Sequence, residues 1–219
     1  MFAGNMDLSA TETRVLGCLL EKQRTTPDAY PLSLNALRLA CNQSTNREPV
    51  VDYDDAAIRD ALHHLERRGL TRLASGAGSR AAKYRHLLAD ALPMDGGEQA
   101  IICVLMLRGP QTPGELKGRT ERMHPFAELQ AVHETLDALI GRGLVARLER
   151  RPGHKEERYA QLLSADEHSD APSGALVAAP ARDHAAADEH DLHARVARIE
   201  REIAELRAAV GLQDGQVPA

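Results

Sequence analysis

The sequence contains no tryptophan, two phenylalanines and four tyrosines, and it has three cysteines spread across 219 residues. A core built without large rings has to come from Leu, Ala, Ile and Val, which points to short helices packed by aliphatic side chains. Cys18, Cys41 and Cys103 are odd in number and widely spaced. Cys18 and Cys103 lie inside apolar helical runs, so buried, reduced thiols are expected, as in a reducing cytoplasm. No stretch approaches the roughly 18 consecutive apolar residues that a membrane span needs. The first residues lack a basic segment followed by an apolar run, so neither a membrane partner nor a secretory signal is expected, and the expected location is cytoplasmic. P-loop, GxSxG and HExxH patterns are all missing.

Charge of one sign is also lacking where a polyanion binder would carry it. Residues 1–90 hold 12 Lys and Arg against 11 Asp and Glu, and residues 91–163 hold ten of each. Residues 164–219 hold 5 basic and 11 acidic residues, so the net charge of −5 originates in the tail. Near-neutral halves weigh against tight nonspecific binding to DNA.

What is present is a repeat. Ile58-Arg-Asp-Ala-Leu62-His-His-Leu65-Glu-Arg-Arg-Gly69-Leu70 aligns with Val132-His-Glu-Thr-Leu136-Asp-Ala-Leu139-Ile-Gly-Arg-Gly143-Leu144 at an offset of 74. Lys83-Tyr84-Arg-His-Leu87-Leu88 aligns with Arg158-Tyr159-Ala-Gln-Leu162-Leu163 at an offset of 75. Val15-Leu16-Gly-Cys-Leu19-Leu20 resembles Ile101-Ile102-Cys-Val-Leu105-Met106. The first copy carries about a dozen extra residues between its first and third helices.

Local signals place the elements. Ser9-Ala-Thr-Glu12 is a capping box for a helix to about Lys22. Ser33 caps a second helix to about Cys41, and Asp52 caps a third, over about 53–69, with Asp55 favoured in its first turn by the helix dipole. That helix ends at Gly69, suited to a left-handed C-terminal position. A strand at Thr71–Leu73, a turn over 74–79 and a strand at Ala82–His86 follow. In the second copy Asp95 or Gly96 opens the first helix, and Thr112-Pro113-Gly114-Glu115 supplies N-cap, N1 proline and N3 glutamate. The third helix runs over about 128–142, and a hairpin spans Arg147 to Arg158 around Pro152-Gly153.

Three helices and a hairpin, used twice, is the winged helix-turn-helix plan, in which the third helix enters the major groove and the hairpin touches the backbone. The expected fold is mostly α with small β-hairpins: winged-helix domains at 1–90 and 91–163, a flexible linker at 164–190 and a coiled-coil helix at 191–212. The linker is rich in Ala, Asp, Ser, His and Pro and cannot bury a core. Beyond it, Leu192, Val196, Ile199, Ile203, Leu206 and Val210 recur at steps of 4, 3, 4, 3 and 4, an a/d seam.

Three segments carry a family resemblance: Thr26-Pro-Asp-Ala-Tyr30-Pro31-Leu-Ser-Leu-Asn35-Ala-Leu, Cys41-Asn42-Gln-Ser-Thr-Asn46-Arg47-Glu-Pro49-Val50 and Arg108-Gly-Pro-Gln-Thr-Pro-Gly-Glu-Leu116. The sequence resembles the YceH-like family of bacterial proteins over roughly residues 7–163. That family carries Lys-Ser-Asn-Arg where this chain has Ser44-Thr45-Asn46-Arg47. The resemblance implies tandem winged-helix domains with a DNA-binding-like architecture, and it brings no activity with it.

Candidate site residues follow from helical projection. In the first copy Ile58, Ala61, Leu62 and Leu65 face inward, while Ala56, Asp60, His63 and Arg67 face outward, flanked by Arg59 and His64. Arg59, His63 and Arg67 suit phosphates or base edges, and Arg80, Lys83 and Arg85 belong to the adjoining hairpin. The competing reading is a solvated face of mixed charge. In the second copy Gln130, Glu134, Asp137 and Gly141 face outward, a poor surface for a polyanion, whereas its hairpin gathers Arg147, Arg150, Arg151, Lys155 and Arg158 among three glutamates. Asn42, Asn46, Arg47 and Pro49 lie in the extra segment of the first copy. They read either as a loop whose side chains hold backbone groups or as a contact for a partner. His63 and His64 are adjacent on a helix and cannot chelate one ion together, so no metal or cofactor is expected, and no catalytic spacing of carboxylates is found. The leading expectation is a non-catalytic DNA-binding or regulator-like protein, the alternative a protein-interaction scaffold.

The tail generates a direct test. Burying an aliphatic side chain gains roughly 1.5–3 kcal/mol, so a six-residue seam favours a symmetric homodimer. In sedimentation the full chain is expected to be dimeric at micromolar concentration and a chain ending at residue 170 monomeric. Two monomers would return the seam to its own chain or to another protein.

Overall fold

Ser9 opens the first helix by closing a capping box with Glu12. Its hydroxyl accepts the Glu12 N–H at 3.2 Å while the Glu12 carboxylate accepts the Ser9 N–H at 2.8 Å. Helix α1 runs over Ala10–Thr25, three residues past the expected end. A computed structural model describes residues 6–74, 82–149 and 156–164. All of them belong to one compact unit. Among the described residues there are seven α-helices and two small antiparallel sheets. No described helix is long and apolar enough to cross a membrane.

After a 3-10 turn at Pro27–Ala29 come β1 (Leu32–Ser33), α2 (Leu34–Cys41), α3 (Asp55–Arg67), β2 (Thr71–Leu73), β3 (Lys83–His86) and α4 (Leu88–Ala91). Ser33 caps α2 by accepting the Ala36 N–H. The cap of α3 is Asp54, which accepts from Ala57 N at 2.8 Å, and not Asp52. Asp52 Oδ1 instead accepts from the Asn42 amide. Gly69 and Gly143 both take a positive φ, of 70° and 67°, at the turn that ends each third helix. The second copy contains α5 (Gly96–Arg108), α6 (Pro113–Thr120), α7 (Leu129–Gly141), β4 (Val145–Leu148) and β5 (Arg158–Gln161). Asp95 and Thr112 each close a capping box, with Glu98 and Glu115.

The repeat extends to individual hydrogen bonds. Leu70 N donates to Leu65 O and Leu144 N to Leu139 O. Leu87 N donates to Leu70 O and Leu162 N to Leu144 O. The His86 ring nitrogen accepts the N–H two residues on, as the Gln161 amide oxygen does for Leu163. The hairpin expected in the first copy is part of a three-stranded sheet, ordered β1-β3-β2, because Leu32 and Ser33 pair with Tyr84 and Lys83. Its counterpart in the second copy is a single bridge, Gln111 with Tyr159, beside the β4–β5 pair. A two-residue strand has too little alternation to be recognised from sequence.

The two copies share one continuous apolar core. The position expected to divide them, between 90 and 91, falls inside α4. Helix α5 is buried along its length, every residue from Gly97 to Leu107, as the unbroken apolar run from Ala100 to Leu107 requires. Its main partner is α1, buried continuously from Glu12 to Leu20. Gly17 permits the close approach, since a Cβ there would lie 3.0 Å from Leu107 Cδ2 and 3.2 Å from Met106 Cβ. Cys103 Sγ reaches the Gly17 carbonyl at 3.5 Å. All three cysteines are buried and free.

Gly17→Val adds two methyls beyond that Cβ at the tightest point. We expect a loss of roughly 1–3 kcal/mol of unfolding free energy in denaturant titration, typical of overpacking. Gly17→Ala is expected to lose less, because its gain in helix propensity offsets part of the strain. Unchanged stability of Gly17→Val would show that the two helices do not meet here.

Candidate functional site

Helix α3 buries Ile58, Ala61, Leu62 and Leu65 against the core, so Arg59, His63 and Arg67 project from the opposite face into solvent. Arg59 is tied weakly to Asp55 at 3.7 Å, and Asp55 is shared with Arg38 at 2.9 Å. His64 turns toward Glu12, with Nδ1 3.3 Å from the carboxylate, and does not join the outer group. Arg67 has no side-chain partner among the described residues.

The sheet beside this helix adds two cations in register. Arg72 on β2 stands directly opposite Arg85 on β3. Like charges at facing strand positions destabilise a pair unless an anion lies between or over them. Arg85 has one distant carboxylate, Asp90 at 3.9 Å. Lys83 lies at the exposed start of β3, opposite Ser33. Arg72 carries no signal in the sequence, because only pairing across the sheet sets it against Arg85. His86, the next residue on β3, adds no charge: burial, then the positive charges of Arg85 and Arg24, lower its pKa to about 4.

The second copy is different. The outer face of α7 presents Gln130, Glu134, Asp137 and Gly141. Arg147, on β4, lies over the Tyr159 ring, 5.7 Å from its centre, and is flanked by Asp137 at 3.9 Å and Glu157 at 3.5 Å. Arg158 is committed to the Pro110 carbonyl and to Glu115. Arg80, Arg150, Arg151 and Lys155 lie outside the described residues, as do the seam residues Leu192, Val196, Ile199, Ile203, Leu206 and Val210.

The extra segment of the first copy is held from below by two buried arginines. Arg14 donates to the carbonyls of Cys41 and Pro49 at 3.2 and 2.7 Å. Arg47, only 4 % exposed, donates through Nε to Ala40 O and through its two amino groups to Glu21, Asn46 O and Gln43. Burial disfavours both charges of the Arg47–Glu21 pair. The two-pronged contact, 3.2 and 2.7 Å, outweighs it and holds Glu21 below and Arg47 above its ordinary pKa. Asn42 exchanges hydrogen bonds with Tyr53, its amide donating to the Tyr53 carbonyl and its oxygen accepting the Tyr53 N–H. Asn46 takes a left-handed φ of 61° and accepts from Arg108 of the second copy. Pro49 follows a cis peptide bond. Glu48 N donates to Leu107 O, so the segment also spans the two copies.

The fold and these surfaces define a mostly helical protein with an internal repeat and small antiparallel sheets. The family model described as "Protein of unknown function, DUF480" matches residues 8–154, and the chain belongs to that family. It is similar to a UPF0502 protein of Pelobacter propionicus, 49 % identical with 94 % of this chain and 93 % of that protein covered. A UPF0502 protein of Solibacter usitatus is 48 % identical, with 92 % and 94 % covered. One from Shewanella sp. strain MR-4 is 44 % identical, with 92 % and 95 % covered.

Removing Arg47 deletes its hydrogen bonds to Ala40, Asn46 and Gln43 and leaves the half-buried Glu21 with Lys22 alone. Arg47→Ala is expected to lose about 3–5 kcal/mol of stability. The double variant Glu21→Leu, Arg47→Met is expected to recover much of that loss in the same denaturant titration. A single variant as stable as the parent would show that the pair is open to water.

Proposed function

We propose that this protein is a non-catalytic, winged-helix DNA-binding protein that contacts nucleic acid through its first copy. The order α1, α2, α3, hairpin supports the winged-helix reading, and in such domains the third helix enters the major groove while the hairpin meets the backbone. The observation that carries the proposal is the Arg72–Arg85 pair, on a sheet whose strand β2 packs on α3, the helix that carries the exposed cations Arg59 and Arg67. Two guanidiniums facing each other across a strand pair are relieved by a bridging phosphate, and phosphate contacts position a protein on the duplex. The helix dipole adds nothing, because the acidic first turn of α3 is occupied by Asp55. Base reading would fall to His63 and Arg67 on the outer face. A cytoplasmic homodimer, joined through the seam at 192–210, would present two such faces to two half-sites.

A second reading rests on α7. Its outer face is acidic and Arg147 is already neutralised, which suits a basic protein surface better than DNA. A scaffold built on winged-helix surfaces would use this face and the C-terminal seam.

Fluorescence anisotropy with a labelled duplex separates the two. DNA binding should weaken steeply as salt rises, since each neutralised phosphate releases counterions. Arg72→Ala and Arg67→Ala should each weaken binding, with the slope of log K against log salt falling by about 1 for a phosphate contact. Glu134→Ala should leave both unchanged. Salt-independent binding, or equal affinity for all these variants, would remove α3 and its sheet as the DNA surface and favour the scaffold.

A further inference from the structure

A cleft of about 440 Å³ opens where the C-terminal turns of α1, α5 and α6 meet the 43–46 segment, on elements separate from the outer face of α3. Four cations line it: Lys22, Arg108, Arg119 and Arg122. The one lining carboxylate, Glu21, is already occupied by Arg47 and by Lys22 at 3.3 Å. Three helix C-termini supply on the order of −1.5 elementary charges of partial charge, which the cations exceed.

We propose that this cleft binds a phosphate-bearing small molecule that bridges the two copies. The cations lie on both sides of the junction: Lys22 comes from the first copy, and Arg108, Arg119 and Arg122 come from the second. Arg122 is exposed and has no side-chain partner among the described residues. Arg119 shares its carboxylate, Glu115, with Arg158. Arg108 donates to the Asn46 side chain, and partial burial, then the like charges of Arg119 and Arg47, lower its pKa. Gln43 uses its amide oxygen to accept from Arg47, which leaves its amide N–H groups as donors beside the cations. Leu107 and Met123 supply an apolar wall. The volume lies in the range of sites for small organic ligands. Cations, amide donors and an apolar wall together suit an organic phosphate better than a bare inorganic anion.

A ligand held by both copies stabilises the folded chain by mass action. Calorimetric titration and thermal unfolding of the full chain, with ADP and with pyrophosphate as probes, test the proposal. Both probes should bind saturably and raise the unfolding temperature, with ADP the tighter of the two. Arg122→Gln, at an exposed position where folding is not at risk, should weaken binding by roughly tenfold or more, the scale of a lost charged hydrogen bond. Arg67→Ala should leave it unchanged, which keeps this site distinct from the α3 surface. Absence of saturable binding by either probe would overturn the proposal, as would binding that Arg122→Gln does not alter. A short DNA duplex that loses affinity with Arg122→Gln, while ADP and pyrophosphate fail to bind, would also overturn it and assign the cleft to a nucleic-acid backbone.

Discussion

The packing of α1 on α5 is the contact on which the rest of the described unit depends. Each copy has its own α1-like helix, and neither copy covers its helix alone. Burying α5 from Gly97 to Leu107 on all sides requires α6, α7 and β5 on one flank and α1 on the other. The absence of a side chain at Gly17 lets the Leu107 and Met106 side chains of α5 seat directly against α1. Leu8 N also donates to Leu163 O, so the start of the first copy is tied to the end of the second. The result is one core from two repeats, in which loss of either helix exposes the other's apolar face.

This shared core arranges polar groups along its margins. Arg14 and Arg47 reach under the 42–50 segment and donate to carbonyls there, and the buried charge of Arg47 is tolerated because Glu21 pairs with it. The same segment contacts Leu107 and Arg108 of the second copy, which closes one wall of the basic cleft. On the exterior, α3 is oriented by its four inward aliphatic residues, so its cations can only face solvent. Asymmetry between the copies then follows from sequence at equivalent positions: Arg59 and Arg67 on α3, but His133 and Gly141 on α7.

Much of this was legible in the sequence. Capping boxes are local, and Ser9–Glu12 and Thr112–Glu115 could be read directly, as could the inward faces of α3 and α7. The error at Asp52 arose because Asp52 and Asp54 are both good caps, and the choice is made by Asn42, ten residues upstream of Asp52. Strand β1 was missed because two residues carry no period and its pairing with β3 is long-range. The role of Arg47 is only partly visible: its place in a polar loop is evident, but its contact with Glu21 crosses 26 residues. The cleft gave no linear signal, because its cations come from the ends of three helices, where basic residues are common for reasons of the helix dipole alone.

The central claim, that the two repeats fold as one cooperative unit through α1 and α5, is tested most directly by native-state hydrogen exchange across a denaturant series. The slowest amides of α1 and α5 are expected to merge on a single opening free energy equal to that of global unfolding. Amides of α5, α6 and α7 that open together at lower denaturant, while α1 and α3 remain protected, would contradict it.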